Sequence, residues 1–253
     1  MQNYNDKSEL FLSILIPARN EAKNLSGTLD NLTRVLVKAA LTFEIIVVDD
    51  HSNDNTSELL SRITAQEPRI KLIKNIYHLG YGYAVRRGLE VFKGDAVVIL
   101  MADSSDDPED VIKYYNKIHQ GYDCVFGTRF SSQSRIVNYP WHKLILNRLG
   151  NFFIQVSFWL PYNDITNAFK CYSRKAIAGM SPLISCRFNL TVEMPLKAVI
   201  RGARWCVVPV NWYGREKGVS KWKIREAGSR YLFIIFYLWL EKLLSGNDYH
   251  MEH

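Results

Sequence analysis

The chain has 253 residues, 47% of them hydrophobic and 23% charged, which suffices for one large core or at most two small ones. Its 32 Lys and Arg against 25 Asp and Glu give a net charge of +7, which favours anionic partners: phosphate substrates, anionic lipid or nucleic acid. The four cysteines, Cys124, Cys171, Cys186 and Cys206, have no CxxC or Cys/His spacing, which argues against a thiolate metal site and for free core thiols in a reducing setting.

Met1–Glu9 is polar and lacks an apolar signal core, so secretion is not expected. Leu12–Ile16 reads as a short apolar strand ending at Pro17. Ala18-Arg19-Asn20-Glu21 then leads into a helix with Leu25, Leu29, Leu32 and Leu36 on one stripe. Phe43–Val48 reads as a second buried strand, ending in Asp49-Asp50-His51-Ser52-Asn53-Asp54-Asn55, and Thr56–Gln66 as a helix stopped by Pro68. Ile70–Ile73 is a weaker third strand. His78-Leu79-Gly80-Tyr81-Gly82-Tyr83 follows, with glycines that would let the backbone approach a ligand or simply make a tight turn.

Ala96–Leu100 has the length and branching of a strand covered on both faces, and it stops in Met101-Ala102-Asp103-Ser104-Ser105-Asp106-Asp107-Pro108. Asp107 and Pro108 predict a helix start, with Asp as N-cap and Pro at the first helical position. Asp106, Asp107, Glu109 and Asp110 can be read as caps and dipole partners; Asp103 reads as chemistry. Asp123–Gly127 is a further strand, ending in Thr128-Arg129. Such repeated units imply a mostly parallel sheet with right-handed crossovers, whose acidic loops converge on one edge. No G-x-G-x-x-G follows the first strand, and there is neither a Walker Gly-Lys-Ser/Thr nor a Gly-x-Ser-x-Gly elbow.

Ile16-Pro17-Ala18-Arg19-Asn20-Glu21, Val47-Val48-Asp49-Asp50-His51-Ser52-Asn53-Asp54, Leu79-Gly80 and Met101-Ala102-Asp103 together resemble the ordered signature of family-two inverting glycosyltransferases with the GT-A fold. Four later blocks narrow the resemblance to the polyprenyl-phosphate (dolichyl-phosphate) branch. They are Gly127-Thr128-Arg129-Phe130, Asn163 to Lys170, Glu193-Met194 and Arg215-Glu216-Lys217-Gly218-Val219-Ser220-Lys221. The resemblance implies an α/β GT-A domain over residues 11–222, after a polar tail at 1–10 and before a C-terminal amphipathic membrane-interface helix and tail at 223–253.

It further implies that Pro17, Ala18, Asn20, Glu21, Asp49, Asp50, Gly80, Ala102 and Asp103 bind a nucleotide-sugar donor. Asp103, with Ser105, would hold Mg²⁺ or Mn²⁺, and Arg129, Arg215, Ser220 and Lys221 would take the acceptor phosphate. Asp103, Arg129, Arg215 and Lys221 are thus the expected catalytic residues. The chain departs from the family in having Met101 where Asp-x-Asp usually begins, and Ser105 where members often offer Gln.

Asp164 is read equally as a turn cap or a site residue, Glu193 as a partnered structural carboxylate or a substrate contact, and the basic run at Arg215 also as a solvated loop. Leu144–Trp159 is helical and apolar, with Asn147, Arg148, Asn151 and Gln155 along one polar stripe. Tyr231–Leu244 is an aromatic, apolar helix behind a basic segment, the pattern of an interfacial anchor. Tyr231–Leu240 is about half of the roughly 20 residues that cross a bilayer, so no crossing is expected.

The expected protein is therefore a peripheral enzyme on the cytoplasmic face of a membrane, a homo-oligomer or the partner of a membrane-anchoring subunit, with no nucleic acid bound. Alternatives are a same-fold transferase with a saccharide acceptor, and a catalytically weak homologue that binds nucleotide-sugar or lipid.

Overall fold

A computed structural model describes residues 9–214, 224–246 and 248–251, the side chains of 224–227 excepted. Four strand and helix units open the chain: β1 (Phe11–Ala18) and α1 (Ala22–Lys38), β2 (Thr42–Asp49) and α2 (Thr56–Gln66), β3 (Ile70–Lys74) and α3 (Tyr81–Leu89), β4 (Ala96–Ile99) and α4 (Asp110–His119). β5 (Cys124–Thr128), a short β6 (Ile136–Val137) and the long α5 (Trp141–Phe158) follow. The chain then makes β7 (Lys170–Ser173), α6 (Arg174–Gly179), α7 (Leu190–Ile200), β8 (Trp205–Pro209), β9 (Trp212–Tyr213) and α8 (Ile224–Leu244).

Seven strands form one sheet in the order β3-β2-β1-β4-β7-β5-β8, and β6 pairs with β9 apart from it. Every pairing in the large sheet is parallel except those of β7, which runs antiparallel between β4 and β5. The core lies in two clusters, one per face, because successive side chains of a strand point to opposite sides. Leu12, Ile14, Ile16 and Ala18 meet α1, α2 and α4, whereas Leu15 meets the side built from α3, α5, α7 and α8. The stripe Leu25, Leu29, Leu32 and Leu36 is fully buried, as its 3.6-residue spacing requires.

Two boundaries differ from the sequence expectation. β1 runs through Pro17 to Ala18, with Pro17 paired to Val48. The backbone of Leu15 faces β4, accepting from Leu100 N at 3.0 Å, so Pro17 faces the same way. β4 has ended there, and the missing N–H costs no ladder bond. α4 begins at Asp110 and not after Asp107: an i to i+3 turn intervenes, with Asp110 N and Val111 N each 3.1 Å from the carbonyls of Asp107 and Pro108.

α5 is turned with its polar stripe inward. Asn151 is buried and, with Asn147, donates to Thr166 Oγ1 at 3.0 and 2.8 Å. Trp141, Ile145, Leu149, Phe152, Phe153 and Val156 are exposed instead. α8 is apolar on both sides rather than amphipathic: Ile234, Ile235 and Leu238 enter the core while Leu232, Phe233, Phe236 and Leu243 face outward. Among the described residues no helix is long and apolar enough to cross a membrane.

Candidate active site

The loops after β2, β1 and β4 lie side by side at the carboxyl edge of adjacent parallel strands, where open α/β sheets bind ligands. Each turns through a non-glycine residue in the left-handed region: Asn20 at φ 53°, His51 at φ 56° and Ser104 at φ 60°. Such backbone persists only where neighbours hold it. Asn20 and Asn53 clasp each other, Asn20 Nδ2 donating to Asn53 Oδ1 at 2.6 Å and Asn53 N donating to Asn20 Oδ1 at 2.8 Å. Thr28 of α1 holds the third loop, with its hydroxyl 3.1 Å from Ala102 O and 2.6 Å from Ser104 Oγ. Glu21 is nearly buried and accepts from Asn24 Nδ2 at 2.9 Å.

In the β4 loop, Asp103 Oδ1 accepts from Ser105 Oγ at 2.6 Å. Ser105 was expected as an oxygen ligand for a metal; buried at 3% exposure and given to Asp103, its hydroxyl orients that carboxylate instead. Asp106 is buried and accepts from Met101 N at 2.9 Å. Burial, with Asp103 adding like charge, pushes its carboxyl up to about 7 against the lowering effect of the Met101 bond. Tyr81 stacks on Phe188 at 4.3 Å, close enough to Asp106 and Tyr231 that, after burial, their charge raises its hydroxyl. The helical reading of this stretch gave no signal for Tyr81, which only the packing of α3 against the 184–189 loop brings to the site.

Asp49 ends β2 with both oxygens engaged, by Ser52 N at 3.1 Å and by the Ser57 hydroxyl. Asp50 and Gly80, expected at the donor, bind each other: Gly80 N lies 3.0 and 3.1 Å from the two Asp50 oxygens, and Asn75 Nδ2 adds a bond at 2.7 Å. The glycines admit the protein's own backbone. A Cβ on Gly80 or Gly82 would stand 2.4 Å from the carbonyl oxygen of Cys186 or Ser185. The close approach foreseen from the sequence is thus to the 184–189 loop, and Asp50 and Gly80 shape the site from behind.

Arg129 was expected on the acceptor phosphate, but it is buried against Asp164. Its Nε and one Nη donate to the two carboxylate oxygens at 2.8 and 2.7 Å, and Asp164 also accepts from Arg129 N at 2.9 Å. Burial works against the guanidinium charge, yet the pairing with Asp164 raises its pKa further. The guanidinium carbon also lies 5.7 Å from the centroid of the Tyr139 ring. Arg148 on α5 is exposed and lies over the Phe130 ring at 4.6 Å, the ring that Arg129 also approaches, at 5.4 Å. The polar-stripe reading of α5 had not singled out Arg148 as a site residue. Glu193 is structural, since Ile184 N, Ser185 N and Lys197 Nζ saturate it at 2.7 to 2.8 Å. Arg215, Ser220 and Lys221 lie outside the described residues.

The segment leading to them is strapped to the acidic loop. Asn211 N and Nδ2 donate to Asp110 and Asp107 at 2.7 and 3.1 Å. Tyr213 N donates to Ser105 O at 2.9 Å, and Trp212 bridges Asp106. Asp110 is thus a buried tie to the β8–β9 connection and not a helix cap.

A mostly parallel sheet with pre-shaped acidic loops at its carboxyl edge defines an α/β fold with its ligand site at the strand ends. The profile of glycosyl transferase family 2 matches residues 13–179, and the chain belongs to that family. It is 27% identical over 223 residues to the polyprenol monophosphomannose synthase of Mycolicibacterium smegmatis, covering 85% of this chain and 83% of that protein. It is 30% identical over 218 residues to the undecaprenyl-phosphate 4-deoxy-4-formamido-L-arabinose transferase of Edwardsiella ictaluri, covering 85% of this chain and 64% of that one. The fold is also that of glucosyl-3-phosphoglycerate synthase from Mycobacterium tuberculosis, solved with Mn²⁺, uridine diphosphate and phosphoglyceric acid. The TM-score is 0.67 at 18% identity, over 92% of this chain and 78% of that one.

Proposed function

We propose that this glycosyltransferase moves a sugar from a nucleotide-sugar to a polyprenyl phosphate at a membrane surface, inverting the anomeric centre. The observation that carries the reading is the orientation of α5: Asn151 is buried while Trp141, Phe152 and Phe153 are exposed, which suits an enzyme that meets its acceptor in a lipid surface. The names of the relatives from Mycolicibacterium and Edwardsiella support the acceptor class.

In this reading an acceptor phosphate oxygen attacks the anomeric carbon as the bond from that carbon to the donor diphosphate breaks, and a nucleoside diphosphate leaves. The nucleophile is already anionic at neutral pH, so no strong base is required and positioning carries the catalysis. Pro17, Ala18, Asn20, Glu21, Asp49 and Ala102 form the donor wall, backed by Asp50 and Gly80. Asp103 and Asp106 suit a divalent cation, Mg²⁺ or Mn²⁺: Asp106 is buried and its carboxyl is raised by burial and by the charge of the half-buried Asp103, which such a cation would relieve. That ion supplies positive charge to the leaving diphosphate. Among the described residues no three His, Cys, Asp or Glu side chains converge on one point.

Arg215, Ser220 and Lys221 are assigned to the acceptor phosphate, with the exposed Arg148 as a further cation and the buried Arg129 contributing its field. Steady-state kinetics of Arg215→Ala and Lys221→Ala test this assignment. KM for polyprenyl phosphate should rise at least tenfold while nucleotide-sugar binding stays within twofold of wild type. Unchanged kinetics, with transfer to a saccharide hydroxyl, would favour the saccharide-acceptor reading.

A further inference from the structure

Beside the start of α3 lies a cavity of about 760 Å³, separate in its lining from the acidic loops: none of Asp49, Asp103 and Asp106 borders it. His78, Tyr83, Ser185, Arg187 and Asn189 line it from below, and Arg230 and Phe233 of α8 line it from above. Arg187 and Arg230 are among its lining residues and bring positive charge to it. Asn189 is 7% exposed, and its Nδ2 donates to Ser185 Oγ at 2.9 Å. Its Oδ1 has no hydrogen-bond donor among the described residues. A buried acceptor left without a donor costs on the scale of a lost hydrogen bond.

The rim supplies the second half of the argument. Ile184 and Phe233 line the cavity and are exposed, and Phe233 belongs with Leu232 to the outward face of α8. A free phosphate compound has no use for that apolar border. A lipid, whose headgroup enters while its chains lie along the rim, uses both.

We propose that this cavity binds the phosphodiester headgroup of a bulk anionic phospholipid through Arg187 and Arg230. The inference rests on the membrane-surface reading above and adds to it a lipid distinct from the acceptor. Such a contact on the flank of α8 fixes the rotation of the enzyme on the bilayer, which the broad apolar face of α5 and α8 leaves undetermined.

Flotation of the full chain with phosphatidylcholine vesicles, with and without 30 mol% (about a third) phosphatidylglycerol, tests it. Wild type should prefer the phosphatidylglycerol vesicles, and Arg187→Ala should lose at least fivefold in partition onto them while its binding to pure phosphatidylcholine is unchanged. Arg62→Ala, which removes an equally exposed charge on α2, should stay within twofold of wild type. Arg187 is itself exposed, so its variant folds, as an unchanged Tm would record.

Equal losses for the two variants overturn the headgroup site. Failure of wild type to bind any vesicle overturns the membrane-surface reading and this inference with it. Binding that is indifferent to both Arg187 and phosphatidylglycerol overturns this inference alone.

Discussion

Asp164 grips Arg129 along the edge of its guanidinium, at 2.7 and 2.8 Å, with both side chains removed from solvent. The pair joins the end of β5 to the 163–170 segment. Removing one partner of a buried ion pair strands the other, at about 3–5 kcal/mol. Asp164→Ala is therefore expected to lower Tm on the order of 10 °C by calorimetry. The apolar swap Arg129→Met with Asp164→Leu should recover most of that loss while transfer stays at least tenfold down, because the positive field is gone.

Asp103 is the carboxylate that the β4 loop is built to present, oriented by Ser105 and backed by Thr28 through Ser104. Asp103→Asn keeps the shape and removes the charge. Turnover should fall about 10²- to 10³-fold, with the thermal midpoint within a degree or two of wild type. Chelation of divalent ions should reduce wild-type turnover and leave the residual activity of the variant unaffected.

The exposed aromatic face of α5 separates stability from docking. Phe152→Ser and Phe153→Ser lie on the outside, so each should change stability by no more than about 0.5 kcal/mol. Together they should cut vesicle partition several-fold in flotation. Asn151→Leu, on the buried side, should do the reverse: it removes the bonds to Asn147 and Thr166, lowers Tm and leaves the lipid-facing surface intact.

Lys170 is fully buried, and its ammonium donates to the carbonyls of Ile165, Asn167 and Thr191. Burial pulls its pKa down from 10.5 to about 7, against the opposing charge of Asp164. Between those values the unfolded chain holds this proton and the folded chain releases it, so stability rises with pH across the window and is level below it. Thermal melts from pH 6 to 10 should show wild type gaining on Lys170→Met through that range; parallel curves would mean that the lysine keeps its proton when folded.

The strands and helices of the first half were legible because each buried strand is a short apolar run and each helix carries a single stripe, as in Ile45–Val48 and Leu25 to Leu36. The acidic loops were legible for the same reason, since charge begins abruptly where burial ends. Sequence patterning did not reveal which side of a polar stripe faces inward. Asn147 and Asn151 meet Thr166 from a distant segment, and only tertiary contact turns α5 about. Nor did it separate ligand-facing from self-satisfied charge: Arg129 with Asp164, and Asp50 with Gly80, are 35 and 30 residues apart, and either member alone reads as a site residue.

The most direct test of the account is product analysis. The protein is incubated with Mg²⁺ or Mn²⁺, a short polyprenyl phosphate and a panel of nucleotide-sugars, with Asp103→Asn in parallel, and the lipid fraction is read by mass spectrometry. The account predicts a glycosylated polyprenyl phosphate from one donor, absent in the variant. Transfer to a saccharide with none to the lipid, or nucleotide-sugar binding with no transfer to either, would contradict it.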